Sequence, residues 1–148
     1  MSIITLDDGT ASVELTVYNE LYERHRGTVR DDELLVVLAK VTRDDYNGGQ
    51  RVVADRLLGL VEARREFGKR LRIQLNGVAE IRALRSVIEP YIPLGLPDAP
   101  SIPVVVEYGN AEASCAIELG EQWRVNPDDE LIADALARLH AKTAKVEY

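Results

Sequence analysis

The stretch GEQWRVNPDDELIADALARL, residues 120–139, decides the second half of the fold. In its latter part, apolar residues recur at the three- and four-residue spacing of an amphipathic helix. The residues on this apolar face are Leu131, Ile132, Ala135, Leu136 and Leu139. We therefore predict a helix that docks on a core.

The start of this helix is also marked in the sequence. Asn126 can accept a hydrogen bond from the first turn as the N-cap, and Pro127 suits the first helical position. The acidic residues 128–130 place negative charge where the helix dipole is positive. These signals predict a helix that begins at about Pro127.

Trp123 is the only tryptophan, and the pattern around it predicts a short extended segment leading into the helix. One interpretation is a core residue, because aromatic side chains bury large areas. The other is an anchor for a partner protein, because Trp is enriched at interface hot spots.

Composition limits the classes of function. The 148 residues are enough for one ordinary domain or two small ones. With 18 basic and 25 acidic side chains the net charge is -7, which gives no general attraction for nucleic acid or anionic membranes. The longest apolar run, 34–39, is too short to cross a bilayer. No signal peptide is visible, and the single cysteine, Cys115, excludes an internal disulfide. We expect a cytoplasmic protein that has no membrane partner, with Cys115 as a small buried residue.

The first half reads as strands with short connections. Ile3–Leu6 and Ser12–Val17 predict a hairpin about the turn 7–10, which is rich in Asp and Gly. A short helix over Asn19–Arg26 follows, and the β-branched content of Leu34–Val41 predicts a central strand. After a loop with Asn47 and Gly48 at its tip, a further strand or strand pair is expected from Val52 to Leu60.

The second half predicts the order β-α-β-β-β-α-β. A charged helix, Glu62–Arg70, marks the boundary between the halves. The expected elements after it are a strand at Leu71–Leu75, a helix at Gly77–Tyr91, a proline-rich connector at Pro93–Pro103, a hairpin of Val104–Tyr108 with Ala113–Leu119, a short extended segment at Trp123, the helix described above, and a closing strand at about Thr143–Tyr148.

One loop offers local nucleic-acid chemistry. Arg43, Tyr46 and Arg51 lie in and beside the loop 43–51. In small β-barrels such loops hold single strands with an aromatic stack and basic flanks. Asp44 and Asp45 weaken the positive field, so plain decoration of a hairpin remains the alternative.

Other polar residues show no catalytic or metal-binding spacing. The aspartate pairs 7–8 and 44–45 are typical of turns, and His25 and His140 lack a third ligand. The basic run of Arg64, Arg65, Lys69, Arg70 and Arg72 is interleaved with glutamates, which favours a solvated helix face over a phosphate-facing stripe. We predict no catalytic residues, no metal site and no cofactor.

Two long segments resemble a known family. ITLDDGTASVELTVYNELYER with LLVVLAKVTRDDYNGGQRVVADRLLGLVEARREF resembles the C-terminal OB-fold region of the bacterial DNA polymerase III alpha subunit. IPVVVEYGNAEASCAIELGEQWRVNPDDELIADAL resembles the extreme C-terminal domain of that family, which binds the tau subunit of the clamp loader.

The resemblance implies an α+β fold in three parts. These are a truncated OB-like barrel that lacks its first strand over residues 1–61, a helical linker over 62–70, and a small α/β tau-binding-like domain over 71–148. It implies that Trp123 and Arg124, with Val146 and Tyr148 of the last strand, contact tau. It also implies that Arg43, Tyr46 and Arg51 contact single-stranded template DNA weakly and locally.

Further expectations follow from the resemblance. The catalytic acidic residues and the main clamp-binding motif of the family lie outside this sequence, so the expected role is tethering within DNA replication and not nucleotidyl transfer. A barrel without its first strand leaves an open edge at Ile3–Leu6, which is either partly disordered or completed by a neighbouring molecule in a strand-swapped homo-oligomer. The alternative is a stand-alone OB-type single-strand-binding protein with an oligomerisation domain. A small enzyme is a third interpretation, which the sequence motifs do not favour.

Overall fold

The computed structural model describes residues 1–44, 46, 48–77, 79–95 and 99–148. The chain divides into two compact units, Met1–Leu60 and Val61–Tyr148. Four parts of the predictions lie outside the described residues: Asp45 of the second aspartate pair, Asn47 at the loop tip, Val78 in the expected helix 77–91, and residues 96–98 of the connector.

The first unit contains one sheet. Its elements are β1 Ser2–Asp7, β2 Ser12–Val17, α1 Asn19–Arg24, β3 Leu35–Arg43 and β4 Gln50–Gly59. The strand order is β1-β2-β4-β3, with β2 and β4 parallel and the other two pairs antiparallel. The core of this unit is small, with Val17, Ala54 and Leu57 at its centre.

The hairpin of β1 and β2 confirms the predicted turn. The Asp8 carboxylate accepts hydrogen bonds from the backbone N–H of Thr10 at 2.8 Å and of Ala11 at 2.9 Å, and from the Thr10 hydroxyl at 2.6 Å. These bonds, the side-chain bond from Thr10 first, lower the pKa of Asp8 to about 2. Gly9 has a φ of 81°, which a residue without Cβ adopts freely.

The prediction of a central strand at Leu34–Val41 is wrong. The strand is β3, it ends the sheet order, and the Val41 side chain is 62% exposed. β-Branched residues favour strand conformation at an edge as well as at the centre. With β1 at one end of the order and β3 at the other, the sheet is open among the described residues, and the OB-like barrel stays a prediction.

The second unit contains the other sheet and most of the helices. Its elements are α2 Leu60–Phe67 (whose first residue belongs to the first unit), β5 Arg70–Asn76, α3 Leu84–Ile88, β6 Val104–Gly109, β7 Ser114–Glu118, α4 Asp129–Arg138 and β8 Thr143–Glu147. Short 3-10 helices cover Ile81–Ala83, Glu89–Tyr91 and Glu121–Trp123. The strand order is β7-β6-β5-β8, with β5 and β6 parallel. The α+β class is therefore confirmed.

Alternation along β5 shows where the core lies. Leu71, Ile73 and Leu75 are buried, whereas Arg70, Arg72 and Gln74 are only partly buried on the other face. The buried face packs with Val87 and Ile88 of α3, with Leu131 and Ala135 of α4, and with Leu139 directly after α4.

Several predictions for this unit are wrong in detail. Helical structure begins at Ile81 and not at Gly77, and α2 ends at Phe67, so Arg70 already belongs to β5. Leu136 is 42% exposed, because it lies beyond the stripe formed by Leu131, Ala135 and Leu139. Cys115 is exposed, because every residue of edge strand β7 is exposed.

The start of α4 also differs from the prediction. The N-cap is Asp128, whose side chain accepts a hydrogen bond from the Asp129 N–H at 2.9 Å. Asn126 has its backbone N–H bonded to the Tyr91 carbonyl at 2.8 Å. The predicted cap at Asn126 is therefore wrong by two residues, because tertiary contacts hold that residue outside the helix.

Candidate interaction surfaces

A groove on the first unit gathers the predicted nucleic-acid residues. Arg43, Tyr46 and Arg51 all line it, together with Tyr18, Lys40, Thr42, Asp44, Val53, Ala54 and Asp55. In the register of β3 and β4, Lys40 pairs with Val53 and Thr42 pairs with Arg51. Directly opposed residues project to the same face of a sheet, so these four side chains share one face.

Arg51 and Arg43 differ in how they are held. The Arg51 guanidinium donates from Nε to the Thr16 hydroxyl at 2.9 Å, which fixes it against β2. Arg43 is exposed at the end of β3, and it makes no ion pair with any described residue. The Arg43 guanidinium is therefore exposed to solvent, whereas Arg51 already uses its Nε–H in the hydrogen bond to Thr16.

The groove also contains acidic residues. Asp55 is the extra residue of a β-bulge, since the register shifts between Leu38 and Ala39, and its carboxylate lies 3.1 Å from Lys40 Nζ. Asp44 accepts the Tyr46 N–H at 3.1 Å and so shapes the loop. Positive charge in the groove is therefore partly compensated, as the sequence indicated.

Tyr18 is an aromatic residue of the groove that was not among the predicted nucleic-acid residues. It follows β2 directly and is 55% exposed, whereas Tyr46 is 97% exposed. Two exposed tyrosines on one groove provide two faces on which bases can stack. The sequence signal was present, because Tyr18 continues the alternation of Glu14 and Thr16 on the face opposite the core.

Trp123 and Arg124 form the first part of the predicted tau-binding set. Trp123 ends a 3-10 helix and not an extended piece, and its partly buried side chain packs against the core of the second unit. The Arg124 guanidinium donates to the Ser101 carbonyl at 2.6 Å, and its Nη1 lies 3.7 Å from the Glu121 carboxylate. Part of the indole surface therefore packs against the core, and the remainder is accessible to solvent.

Val146 and Tyr148 lie elsewhere in the same unit. Val146 is partly buried on β8, and Tyr148 after it is 60% exposed. Trp123 lies in the connection that follows β7. In the sheet, β7 and β8 are the two edge strands, and β6 and β5 lie between them. The predicted set is therefore carried by two different elements, the connection after β7 and the end of β8.

A charged cluster on the outer face of this sheet was not predicted. The Arg72 guanidinium lies 2.8 Å from Glu107 of β6 and 2.6 Å from Glu147 of β8, and Arg70 Nε donates to Glu147 at 2.6 Å. Hydrogen bonds from Arg70 first, and then Arg72, lower the pKa of Glu147, and the carboxylates of Glu107 and Glu147 raise the pKa of Arg72.

The interpretation of Arg64–Arg72 as a solvated helix face is therefore wrong. Arg64 is only 14% exposed and pairs with Asp129 at 2.6 Å, and Arg65 Nε donates to Asn126 Oδ1 at 2.5 Å. Arg70 and Arg72 belong to β5. The alternation Arg-Leu-Arg-Ile at 70–73 was the signal for a strand whose basic residues share one face.

The described part of the chain shows neither a metal-binding group nor a helix suited to a bilayer. Within it, no three His, Cys, Asp or Glu side chains come together as a potential metal site. No helix there has the length and apolar character needed to cross a membrane.

Comparisons with known proteins give one family over part of the chain, and relatives of the same description over most or all of it. Residues 83–139 match the family described as DNA polymerase III subunit alpha, C-terminal domain. The chain is 27% identical over 152 residues to DNA polymerase III subunit alpha of Pasteurella multocida, covering 100% of this chain and 13% of that protein. It is 31% identical over 136 residues to the same subunit of Pseudomonas aeruginosa, covering 89% of this chain and 11% of that protein. The subunit of Escherichia coli K12 is 26% identical over 152 residues, with coverage of 100% and 13%. The chain therefore spans about an eighth of the length of these relatives.

Proposed function

We propose that this chain, a member of the DNA polymerase III subunit alpha family that corresponds to its C-terminal region, serves DNA replication by tethering. In this proposal the second unit binds the tau subunit of the clamp loader, and the first unit contacts single-stranded template. Linking two binding modules raises the local concentration of one partner near the other without new chemistry. The proposal includes a cytoplasmic location.

The observation that carries the proposal is the position of the family match. Residues 83–139 contain Trp123, Arg124 and the whole of α4. The Trp123 side chain is partly buried against the core, so it is held in one position. A rigid aromatic group that is partly exposed can bind a partner at a low cost in conformational entropy.

The test for tau is a calorimetric titration of this chain with the tau subunit of the same organism. Arg124→Ala and Trp123→Ala should weaken binding, with circular dichroism to check that the Trp123 variant folds. Leu136→Ala is the matched control, because it removes an exposed apolar side chain from α4. Absence of binding by the folded wild type would refute this half of the proposal.

Tyr148→Ala decides between the two places in the second unit. Trp123 follows edge strand β7 and Tyr148 follows edge strand β8, so an interface centred on one of them should respond more strongly to its substitution than to that of the other. Loss of tau binding in the Tyr148 variant alone would move the interface to β8 and its free edge.

Single-strand contact is supported by the groove with Tyr18, Arg43 and Tyr46. The test is fluorescence anisotropy of labelled oligo-dT over a salt series, because phosphate contacts make affinity fall as salt rises. Tyr46→Ala should cost ~1–3 kcal/mol of binding free energy if a base stacks on the ring. Arg43→Ala should weaken binding, whereas Arg26→Ala, which removes an exposed arginine outside the groove, should change little. Equal effects of the Arg26 and Arg43 substitutions would refute a specific groove.

The same titrations address the stand-alone single-strand-binding alternative. That alternative requires salt-dependent DNA affinity in a chain that ignores tau. The groove is the observation in its favour, and the family match is the observation against it.

The proposed strand-swapped homo-oligomer rests on edge strand β1. It lies at the end of the sheet, and Ile3 is 65% exposed. Light scattering over a concentration series should show self-association that Thr5→Pro weakens, since proline removes a backbone donor. A monomer at every concentration would refute it.

A further inference from the structure

Strand β7 presents an unprotected edge. It ends the second sheet, and all five of its residues, Ser114–Glu118, are exposed, with Ile117 at 53%. Natural sheets protect such edges with charged side chains, lysine above all, with proline, with a bulge or by keeping the strand short. The register of β6 and β7 runs without a shift, and β7 contains neither lysine nor proline. The other edge strand of this sheet, β8, has Lys145 at its centre.

The outward backbone groups of β7 follow from the hydrogen bonds that flank it. Leu119 N–H donates to the Val104 carbonyl at 2.9 Å, and Asn110 N–H donates to the Ala113 carbonyl at 2.9 Å. In an antiparallel pair the residues alternate between pointing their N–H and C=O groups at the partner strand and away from it. Residues 113, 115, 117 and 119 therefore bond to β6, and Ser114, Ala116 and Glu118 direct theirs to the free edge.

The charge around this edge has one sign. From Gly109 to Glu121 there are three glutamates (Glu112, Glu118 and Glu121) and no Lys, Arg or His. Glu121 is paired with Arg124, whereas Glu112 and Glu118 form no ion pair with any described residue. Two carboxylates near an open edge attract a cationic partner and repel an anionic one.

Side-chain alternation adds a second requirement. Ile117 and Cys115 pair with Val106 and Tyr108, so they lie on the sheet face that carries the core. Glu118 lies on the opposite face. A strand added at this edge therefore meets an apolar surface on one side and a carboxylate on the other.

We infer that the β7 edge binds an extended segment of a partner protein in which basic and apolar residues alternate. The segment adds a fifth strand to the sheet through backbone hydrogen bonds to Ser114, Ala116 and Glu118. Its apolar side chains lie beside Ile117, and its cations lie beside Glu118 and Glu112. The inference does not depend on binding to tau or to DNA.

Cys115 provides the readout, because it is the only cysteine, it is exposed, and it lies in the middle of β7. The experiment measures the rate at which Ellman's reagent modifies this thiol while an acetylated and amidated peptide of alternating lysine and valine, KVKVKVK, is titrated into the full chain. At about ten times Kd, the fraction of free edge and hence the rate should fall about tenfold. Amide chemical shifts should move at β7.

Two peptide controls separate strand addition from charge attraction. The same peptide with N-methylated lysines loses backbone donors but keeps its charge and side chains, and it should not protect Cys115. A glutamate–valine peptide should not protect it either. Equal protection by the N-methylated peptide, or no protection by KVKVKVK at millimolar concentration, overturns the inference.

Protein variants locate the effect. Ala116→Pro removes one outward N–H without touching a bond to β6, and it should weaken binding of the peptide about tenfold or more. Glu118→Lys should weaken it independently and serves if the proline variant does not fold. Lys145→Ala on β8 is the matched control and should leave the affinity unchanged. Shift changes at β1 or β8 instead of β7 would overturn the assignment.

Discussion

Arg65 of α2 donates from its Nε to the side-chain oxygen of Asn126 at 2.5 Å, so the asparagine that resembles a helix cap instead ties α2 to the segment before α4. Arg64 of α2 makes a second contact with the same region, because its Nη1 donates to the Asp129 carboxylate at 2.6 Å. Two arginines of a charged helix thus hold the start of α4. The helix α2, from Val61 on, belongs to the second unit.

The Arg65–Asn126 contact predicts a measurable coupling. In a double-mutant cycle of Arg65→Ala and Asn126→Ala, we expect a coupling free energy of ~1 kcal/mol. Either single substitution already removes the hydrogen bond, so the double variant cannot lose it a second time. Urea unfolding followed by Trp123 fluorescence gives the free energies. The exposed pair Arg85 and Glu89 at 3.3 Å is the control and should couple by less than about 0.5 kcal/mol. Additive free energies for Arg65 and Asn126 would contradict the contact.

Two leucines of α4 should differ strongly in their effect on stability. Leu131 is fully buried, so Leu131→Ala should cost ~2–5 kcal/mol through lost burial and the cavity left behind. Leu136 is 42% exposed, so Leu136→Ala should lower the free energy of unfolding by less than about 1 kcal/mol. Thermal and urea unfolding of both variants check this difference. A larger loss of stability for Leu136→Ala than for Leu131→Ala would mean that α4 turns a different face to the core.

Glu147 should make the stability of the second unit depend on pH. Its pKa in the folded chain is below the ordinary value of 4.5, because Arg70 and Arg72 favour the carboxylate. The stabilisation is therefore complete above pH 4.5 and is lost as pH falls through the lowered folded pKa. Urea unfolding at several pH values between 7 and 2 should show this loss, and Glu147→Gln should reduce it.

Glu112→Gln is the control for that series. It removes a carboxylate that has no cationic partner among the described residues, so it should leave the pH dependence unchanged. The same dependence in the Glu147 variant as in the wild type would contradict the role of the Arg70–Glu147–Arg72 cluster.

Gly68 should not tolerate a side chain. A Cβ placed on it would lie against the Arg64 carbonyl and 2.8 Å from Val146 Cγ1, where α2 turns into β5. Gly68→Ala should destabilise the second unit by ~1–3 kcal/mol through overpacking. A Cβ placed on Gly77 would lie 3.9 Å from Asn110 Cβ, so Gly77→Ala should leave the stability nearly unchanged. Equal stability of the two variants, measured by thermal unfolding, would show that Gly68 has more room than the structure indicates.

The sequence by itself determined the features that depend on neighbours along the chain. The Asp8 turn, the hairpin of β1 and β2, the alternation of β5 and the core stripe Leu131–Ala135–Leu139 all follow from local spacing, because strand and helix periods decide which side chains share a face. The likeness to the polymerase alpha subunit, carried by motifs spread over the chain, was also visible in the sequence and is confirmed.

Tertiary structure decided whatever depends on which strands become neighbours. Sheet order placed β3 and β7 at edges, and so exposed Val41 and Cys115, although their local sequences resemble buried strands. It also joined Arg72 to Glu107 and Glu147 across 35 and 75 residues. These pairings are long-range, and the free energy that selects them comes from packing and charge between segments that the local pattern does not contain.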